Sequence, residues 1–157
     1  DELTQLINIL IGEMSFVGPR PNVRREIDIY TLEEMRLLEM KPGITDFASI
    51  VFADESTILK GKKDPDIAYN QLIRPGKSKL GLFYIENNNI LIDISIILIT
   101  VLNLFSRRKA IFLIKKLLFQ LNASKDLIKI ASREEKLKPL PPPGSDEVVI
   151  CRTRKTH

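Results

Sequence analysis

The segment ILIDISIILITVLNLF, residues 90–105, constrains the fold more than any other part of the chain. Its 16 residues hold one acid and no base. A bilayer-spanning helix needs roughly 20 apolar residues, so this run is too short to cross one. Spaced at about 100° per residue, Asp93, Thr100, Asn103 and the following Arg107 share one narrow stripe, and nearly everything else is apolar. The predicted helix is therefore either buried on most sides or half sunk in lipid, and the pattern alone leaves both readings open.

The next stretch, RRKAIFLIKKLLFQL, reads as a basic amphipathic helix over about 110–121. The pattern is imperfect, because Phe112 and Phe119 fall among the lysines. The formal net charge is +4, yet residues 107–138 alone hold ten bases against three acids. A basic block interleaved with Ile, Leu and Phe fits an anionic surface, lipid headgroups or nucleic acid, or else a solvated helix face. No nucleic-acid reading motif and few aromatics accompany the lysines, so nucleic acid is not an expected partner. Beyond residue 132 the chain turns polar and proline-rich, and 133–157 reads as a disordered tail or linker.

At the other end, Leu3, Leu6, Ile7, Leu10 and Ile11 recur at helical spacing, which predicts a helix over 2–12 with Gly12 near its end. Asp1 and Glu2 stand at its N-terminus, where free backbone amides favour negative charge; an N-cap and a first-turn acid are the ordinary explanation. Gly18, Pro19 and Pro21 then set a stiff turn that holds Arg20 between two prolines. A guanidinium on such a backbone suits bidentate phosphate binding. Residues 23–40 read as one helix or two short ones. Pro42-Gly43 is a break before an extended stretch, ADESTILKGKKDPD a loop, and IAYNQLI a short helix stopped by Arg74-Pro75-Gly76. With one cysteine and one histidine, neither a disulfide framework nor a Cys/His zinc site can be built. Any metal would sit on oxygen ligands, which favours a hard cation such as Mg²⁺.

Three ordered blocks go further. DELTQLINILIGEMSFVGPRP resembles the signature of the bacterial sugar transferases, the monotopic polyprenyl-phosphate phosphoglycosyl transferases. Asp1-Glu2-Leu3, Gln5-Leu6, Asn8, Gly12, Met14-Ser15 and Val17 to Pro21 match that signature at the same spacing. KPGIT (41–45) resembles the next block of the family, and FYIENNNILIDISIILIT (83–100) its Tyr-Val-Glu-Asn…Leu-Asp segment. The resemblance covers residues 1 to about 108.

It implies transfer of a phosphosugar from a UDP-sugar to polyprenyl phosphate through a covalent intermediate on Asp1, the first step of surface glycan synthesis. Glu2 would hold Mg²⁺, and Arg20, flanked by Pro19 and Pro21, would bind phosphate. Arg24, Lys41, Glu86 and Asp93 are candidates for lining the site or for structural ion pairs. The implied location is the cytoplasmic face of a bacterial inner membrane, with an anionic membrane surface as partner and a homo-oligomer left open. The expected fold is α/β and mainly helical, with short strands near 44–52 and 80–86, and interfacial helices at 90–105 and 110–121. Three regions follow: a catalytic portion over 1–108, a basic helical segment over 109–132 and the tail over 133–157.

The chain also departs from the family pattern. Thr4 replaces a proline and Glu13 an aspartate, while Asn88, Asn89 and Ile90 replace aromatic residues. ITDFASIVFADES differs from the Gly-Trp-Ala-Gln…Asn-Gly-Arg-Asn version, which leaves the donor sugar open. Family members carry an N-terminal re-entrant membrane helix before the Asp-Glu pair. On this comparison the 157 residues are the C-terminal catalytic portion, expected to show little or no activity by themselves. The alternative is a catalytically inactive module that binds membrane surfaces.

Overall fold

The computed structural model describes residues 2–20 and 27–151, with side chains from Thr4 onward. The described chain is mainly helical around one short parallel strand pair. Helix α1 (Glu2–Leu10) ends as Gly12 turns with φ +83°, a left-handed conformation that glycine adopts without strain. Strand β1 (Ser15–Val17) follows, and it pairs in parallel with β2 (Gly43–Thr45) in the register Ser15 to Gly43 and Val17 to Thr45. Gly18 N–H extends the ladder by donating to Thr45 O at 3.0 Å. The backbones touch at the strand ends. A Cβ on Gly43 would lie 2.1 Å from Gly18 N, and one on Gly18 would lie 2.6 Å from Lys41 O. The glycines of the Gly-Pro and Pro-Gly pairs are thus required by close backbone approach.

Between the strands lie α2 (Leu32–Met35) and a 3₁₀ turn (Arg36–Glu39). Thr31 caps α2 with a full capping box to Glu34. The expectation of a strand over 44–52 is corrected: only Gly43–Thr45 is extended, and α3 (Phe47–Val51) begins at once. Asp46 is the reason, since its carboxylate caps Ser49 N–H at 2.7 Å and turns the chain into a helix. A further short helix, α4 (Glu55–Leu59), lies within the expected loop. Next come α5 (Pro65–Leu72) and α6 (Arg74–Asn87). The strand expected near 80–86 is therefore helical. Arg74-Pro75-Gly76 does not end structure but opens α6, because proline at a helix start loses no hydrogen bond the helix would have made.

Helix α7 (Ile90–Phe105) occupies the apolar run, with Asn89 as its N-cap and Ser106 at the far end, where α8 (Arg107–Gln120) starts. Helix α9 (Lys125–Ser132) closes the set. The core lies between α3, α6, α7, α8 and α9. Phe47, Ile73, Leu80, Ile96, Ala110, Ile114, Leu118 and Ala131 are wholly buried in it. Among the described residues no helix is long and apolar enough to cross a membrane. Among the described residues after Ser132 there is no helix or strand, and this part of the tail touches the body: Leu140 N–H donates to Gln71 O, and Gln71 Nε2 donates to Val149 O. The Thr31 hydroxyl likewise donates to Pro143 O.

Helix α7 is apolar on its exposed side as well as on its buried side. Ile92, Ile96 and Ile99 face the core. Its polar stripe faces inward as well. Asp93 accepts from the Tyr84 hydroxyl at 2.7 Å, and Thr100 pairs with Thr45 through their hydroxyls at 2.7 Å. The remaining sector is apolar and exposed: Ile90, Leu91, Ile94, Ile97, Leu98, Val101, Leu104 and Phe105. At 100° per residue these eight side chains cover one arc of about 140°.

Candidate functional site

An open cleft of about 680 Å³ lies where the end of β1, the start of α3 and α4 and the first turn of α6 meet. Pro19 and Arg20 enter it from the turn after β1, Asp46 and Ser49 from α3, Glu55 from α4, and Lys77 from α6. Pro19 is buried and Arg20 is exposed, so the turn is anchored while the guanidinium is available to the cleft. The Gly18–Gly43 contact and the 3.3 Å hydrogen bond from Gly43 N–H to Pro19 O hold that turn against β2.

Asp46 is the buried charge of the cleft, 3% exposed. Ser49 donates to it twice, from its backbone N–H at 2.7 Å and its hydroxyl at 2.6 Å. Burial pushes its carboxyl above the usual carboxylate range. The Ser49 hydrogen bonds and the charges of Lys77 and Arg20 oppose that push. The Lys77 ammonium bonds the Glu55 carboxylate and stands 5.3 Å from the centroid of the Tyr69 ring. Asp46 and Glu55 are thus already engaged. Among the described residues no group of three or more acids, histidines or cysteines is placed to hold a metal ion.

Beneath the cleft lies a second polar cluster. Arg74, 1% exposed, grips the fully buried Glu34 with Nε at 2.9 Å and Nη2 at 2.5 Å. It also donates to Asn70 Oδ1 and Ile29 O, and lies 5.4 Å from the Tyr30 ring centroid. Tyr30 lines the cleft, so this cluster supports one of its walls.

The sequence candidates are distributed as follows. Pro19 and Arg20 come together in the cleft. Helix α1 starts at Glu2, but the Glu2 side chain, Asp1, Pro21 and Arg24 lie outside the described residues. Lys41 is exposed on the turn before β2 and is not among the cleft-lining side chains. Glu86 pairs with Arg36 at 3.2 Å on the surface. Asp93 is engaged by Tyr84, whose hydroxyl also reaches Val17 O at 3.4 Å, which ties α6 and α7 to β1. Asp46, Ser49, Glu55 and Lys77 were not singled out from the sequence. The one available signal was that three of them lie in the ITDFASIVFADES stretch, where the chain departs from the family pattern.

The profile of the bacterial sugar transferases matches residues 1–107. The chain belongs to the bacterial sugar transferase family. Among curated relatives, it is 35% identical over 101 residues to the uncharacterized sugar transferase EpsL of Bacillus subtilis, a match that covers 64% of this chain and 42% of the relative. It is 34% identical over 113 residues to the UDP-glucose:undecaprenyl-phosphate glucose-1-phosphate transferase of Klebsiella pneumoniae, covering 70% of this chain and 22% of the relative. Over 45 residues it is 51% identical to the undecaprenyl-phosphate galactose phosphotransferase of Salmonella typhimurium, covering 29% and 10%. In each case the match spans less than half of the relative's length.

The sugar transferase match stops at residue 107, but the fold does not. Ala110, Ile114 and Leu118 of α8 are fully buried in the same core. Arg133, just past α9, shares Asp54 with Arg107: both guanidiniums bond its carboxylate, and both bond Val51 O at the end of α3. Segments beyond the family match therefore brace the α3–α4 wall of the cleft.

Proposed function

We propose that this chain is the catalytic portion of a phosphoglycosyl transferase that moves a phosphosugar from a UDP-sugar to polyprenyl phosphate and so initiates a surface glycan. The observation that carries the reading is the family match over residues 1–107, with the Gly-Pro-Arg-Pro arginine set into an open cleft. Asp1 is the nucleophile. Its carboxylate oxygen attacks the sugar-linked phosphorus, the bond to the bridging oxygen breaks, and UMP leaves with that oxygen. An oxygen of polyprenyl phosphate then attacks the same phosphorus and regenerates the carboxylate, giving polyprenyl-diphosphate-sugar. A carboxylate can form such an intermediate when held in line with its target. Arg20 offsets the like charge that opposes the approach. Mg²⁺ on Glu2 belongs to this proposal through the resemblance alone, and no step is derived through it.

The membrane part of the reading has its own support. Helix α7 turns its polar stripe to the protein and an unbroken apolar arc outward. On α8, Phe112 and Phe119 are exposed on the surface that also carries Arg108, Lys109 and Lys116. Apolar side chains buried in the acyl boundary, with lysines and arginines reaching the headgroups, describe a helix pair lying in the interface of an anionic bilayer. The cytoplasmic face of a bacterial inner membrane is the location proposed.

The test is UMP release by the full-length gene product in detergent, with polyprenyl phosphate, Mg²⁺ and a panel of UDP-sugars, beside Asp1→Asn. Release with one donor, abolished by the substitution and by chelation, supports the reaction class and identifies the sugar. Lack of release with every donor, with no phosphosugar trapped on the protein, would assign the chain to the inactive membrane-surface class instead.

A further inference from the structure

Among the described residues the cleft holds two cations from separate elements, Arg20 beside β1 and Lys77 in α6. The charges of both act on the same buried carboxylate, Asp46, against its burial. A second carboxylate lining the cleft, Glu55, is bonded to Lys77. The Lys77 and Glu55 side chains are 25% and 36% exposed, so their pair faces the open cleft rather than the interior. A nucleoside diphosphate sugar brings two phosphates, and one guanidinium neutralises only part of that charge.

We infer that Lys77 is a second donor-binding cation, which exchanges the Glu55 carboxylate for a phosphate oxygen of the nucleoside diphosphate sugar. This inference rests on the reading of the cleft as the donor site. Glu55 occupies the anion's place on Lys77 while the cleft is free of donor, and leaves it when the donor enters. The exchange costs little, because a solvent-accessible ion pair at the cleft surface adds little net stability. Tyr69 keeps the ammonium in place through the exchange, since its ring face attracts a cation whichever anion lies on the other side. Lysine chemistry suits such an exchange. The ammonium is a point charge with three donors that can turn from one oxygen to another, whereas a guanidinium is tied to a planar fork.

Arg20 and Lys77 then divide the work by rigidity. Arg20 sits on a backbone clamped by Gly18, Pro19 and Gly43. Lys77 sits at the end of a flexible stem. The fixed cation sets where the diphosphate lies, and the mobile one closes on it after Glu55 withdraws. Because Glu55 competes with the donor, the two members of the pair have opposite effects on binding. A pair that merely braced α4 against α6 would have effects of the same sign.

The test is titration of the full-length gene product with UDP by calorimetry, for the wild type, Arg20→Ala, Lys77→Met, Lys77→Arg and Glu55→Gln. Thermal melts show which variants are folded. Lys77→Met is expected to weaken UDP binding about 10-fold or more, the loss of a charged hydrogen bond. Lys77→Arg is expected to restore most of it. Glu55→Gln is expected to tighten binding by about 2- to 5-fold, as removal of a competing, partly exposed ion pair allows. Binding to Lys77→Met should also fall less steeply with salt than binding to the wild type. Equal weakening by Lys77→Met and Glu55→Gln would overturn the inference in favour of a brace. UDP binding that depends on Arg20 but not on Lys77 would overturn it while leaving the donor site intact. A wild type that does not bind UDP would remove both.

Discussion

Replacing Arg74 by methionine tests whether the buried Arg74–Glu34 pair holds the cleft wall. In the native protein the guanidinium makes four hydrogen bonds: two to Glu34, one to Asn70 Oδ1 and one to Ile29 O. Glu34 also accepts from the Ser78 hydroxyl at 2.7 Å and from Thr31 N–H at 3.0 Å. Methionine fills much of the arginine's volume but leaves a wholly buried carboxylate without its countercharge. The expected cost is about 3–5 kcal/mol. For a chain of this length each kcal/mol lowers the melting temperature by roughly 2–4 °C, so the fall should be roughly 6–20 °C. Glu34→Met should cost a similar amount, since it strands the arginine and breaks the capping box of α2. The double variant should cost clearly less than the two singles together, because it leaves neither charge unpaired. Thermal unfolding followed by circular dichroism reads all three. A single-variant cost below about 1 kcal/mol, or simple additivity, would refute the argument.

Further expectations follow from the same contacts. Asp46 has a raised carboxyl pKa, so between the unfolded value of 3.8 and the raised value the folded state binds the proton more than the unfolded chain does. Its contribution to stability is fully present below the unfolded value of 3.8 and is lost as pH rises through the raised value. Asp46→Asn keeps an acceptor for Ser49 N–H and should flatten that fall in thermal melts taken across the acid range; a steeper fall would reverse the sign. Tyr84 is pushed upward first by burial and then by Asp93, so its contribution is present below the unfolded value of 10.0 and is lost at higher pH. Tyr84→Phe should cost about 1.5–3 kcal/mol at neutral pH, read by thermal melts, and should leave a shallower alkaline decline. Arg133→Ala removes bonds to Asp54 and Val51 O and the contact with the Phe52 ring. It should destabilise by about 1–2 kcal/mol and weaken UDP binding through the α3–α4 wall, whereas unchanged binding would show that the brace does not reach the cleft. Leu104→Glu and Phe105→Glu, at positions 80% and 83% exposed, should leave the melting temperature nearly unchanged yet lower sedimentation with anionic vesicles several-fold.

Much of the helical framework was legible beforehand, for local reasons. Residues 90–105 form one helix because Asn89 caps its start and Ser106 breaks it from α8. The Gly12 and Pro42-Gly43 breaks fall where glycine and proline chemistry puts them. The two misread strands show what local pattern lacks. Leu80, Leu82 and Tyr84 alternate as a strand would, but they continue a helix opened by Arg74-Pro75, and all three are buried in it. Ile44 to Phe52 is rich in β-branched and aromatic residues, yet the Asp46 cap turns the chain after three extended residues.

For the candidate site, Arg20 was readable because two prolines advertise a stiff backbone around it. Glu55 and Lys77 were not readable. They are 22 residues apart, and either would pass for an ordinary solvated charge. The sequence by itself determined the family, through three ordered blocks, and most helix positions, through periodicity and caps. Periodicity also divided α7 into a polar stripe and an apolar remainder. Only the tertiary structure decided that the stripe faces inward, and which charges meet across the cleft. A helical period states the angle between side chains but not the direction of the core, and it contains no information about partners brought together from distant parts of the chain.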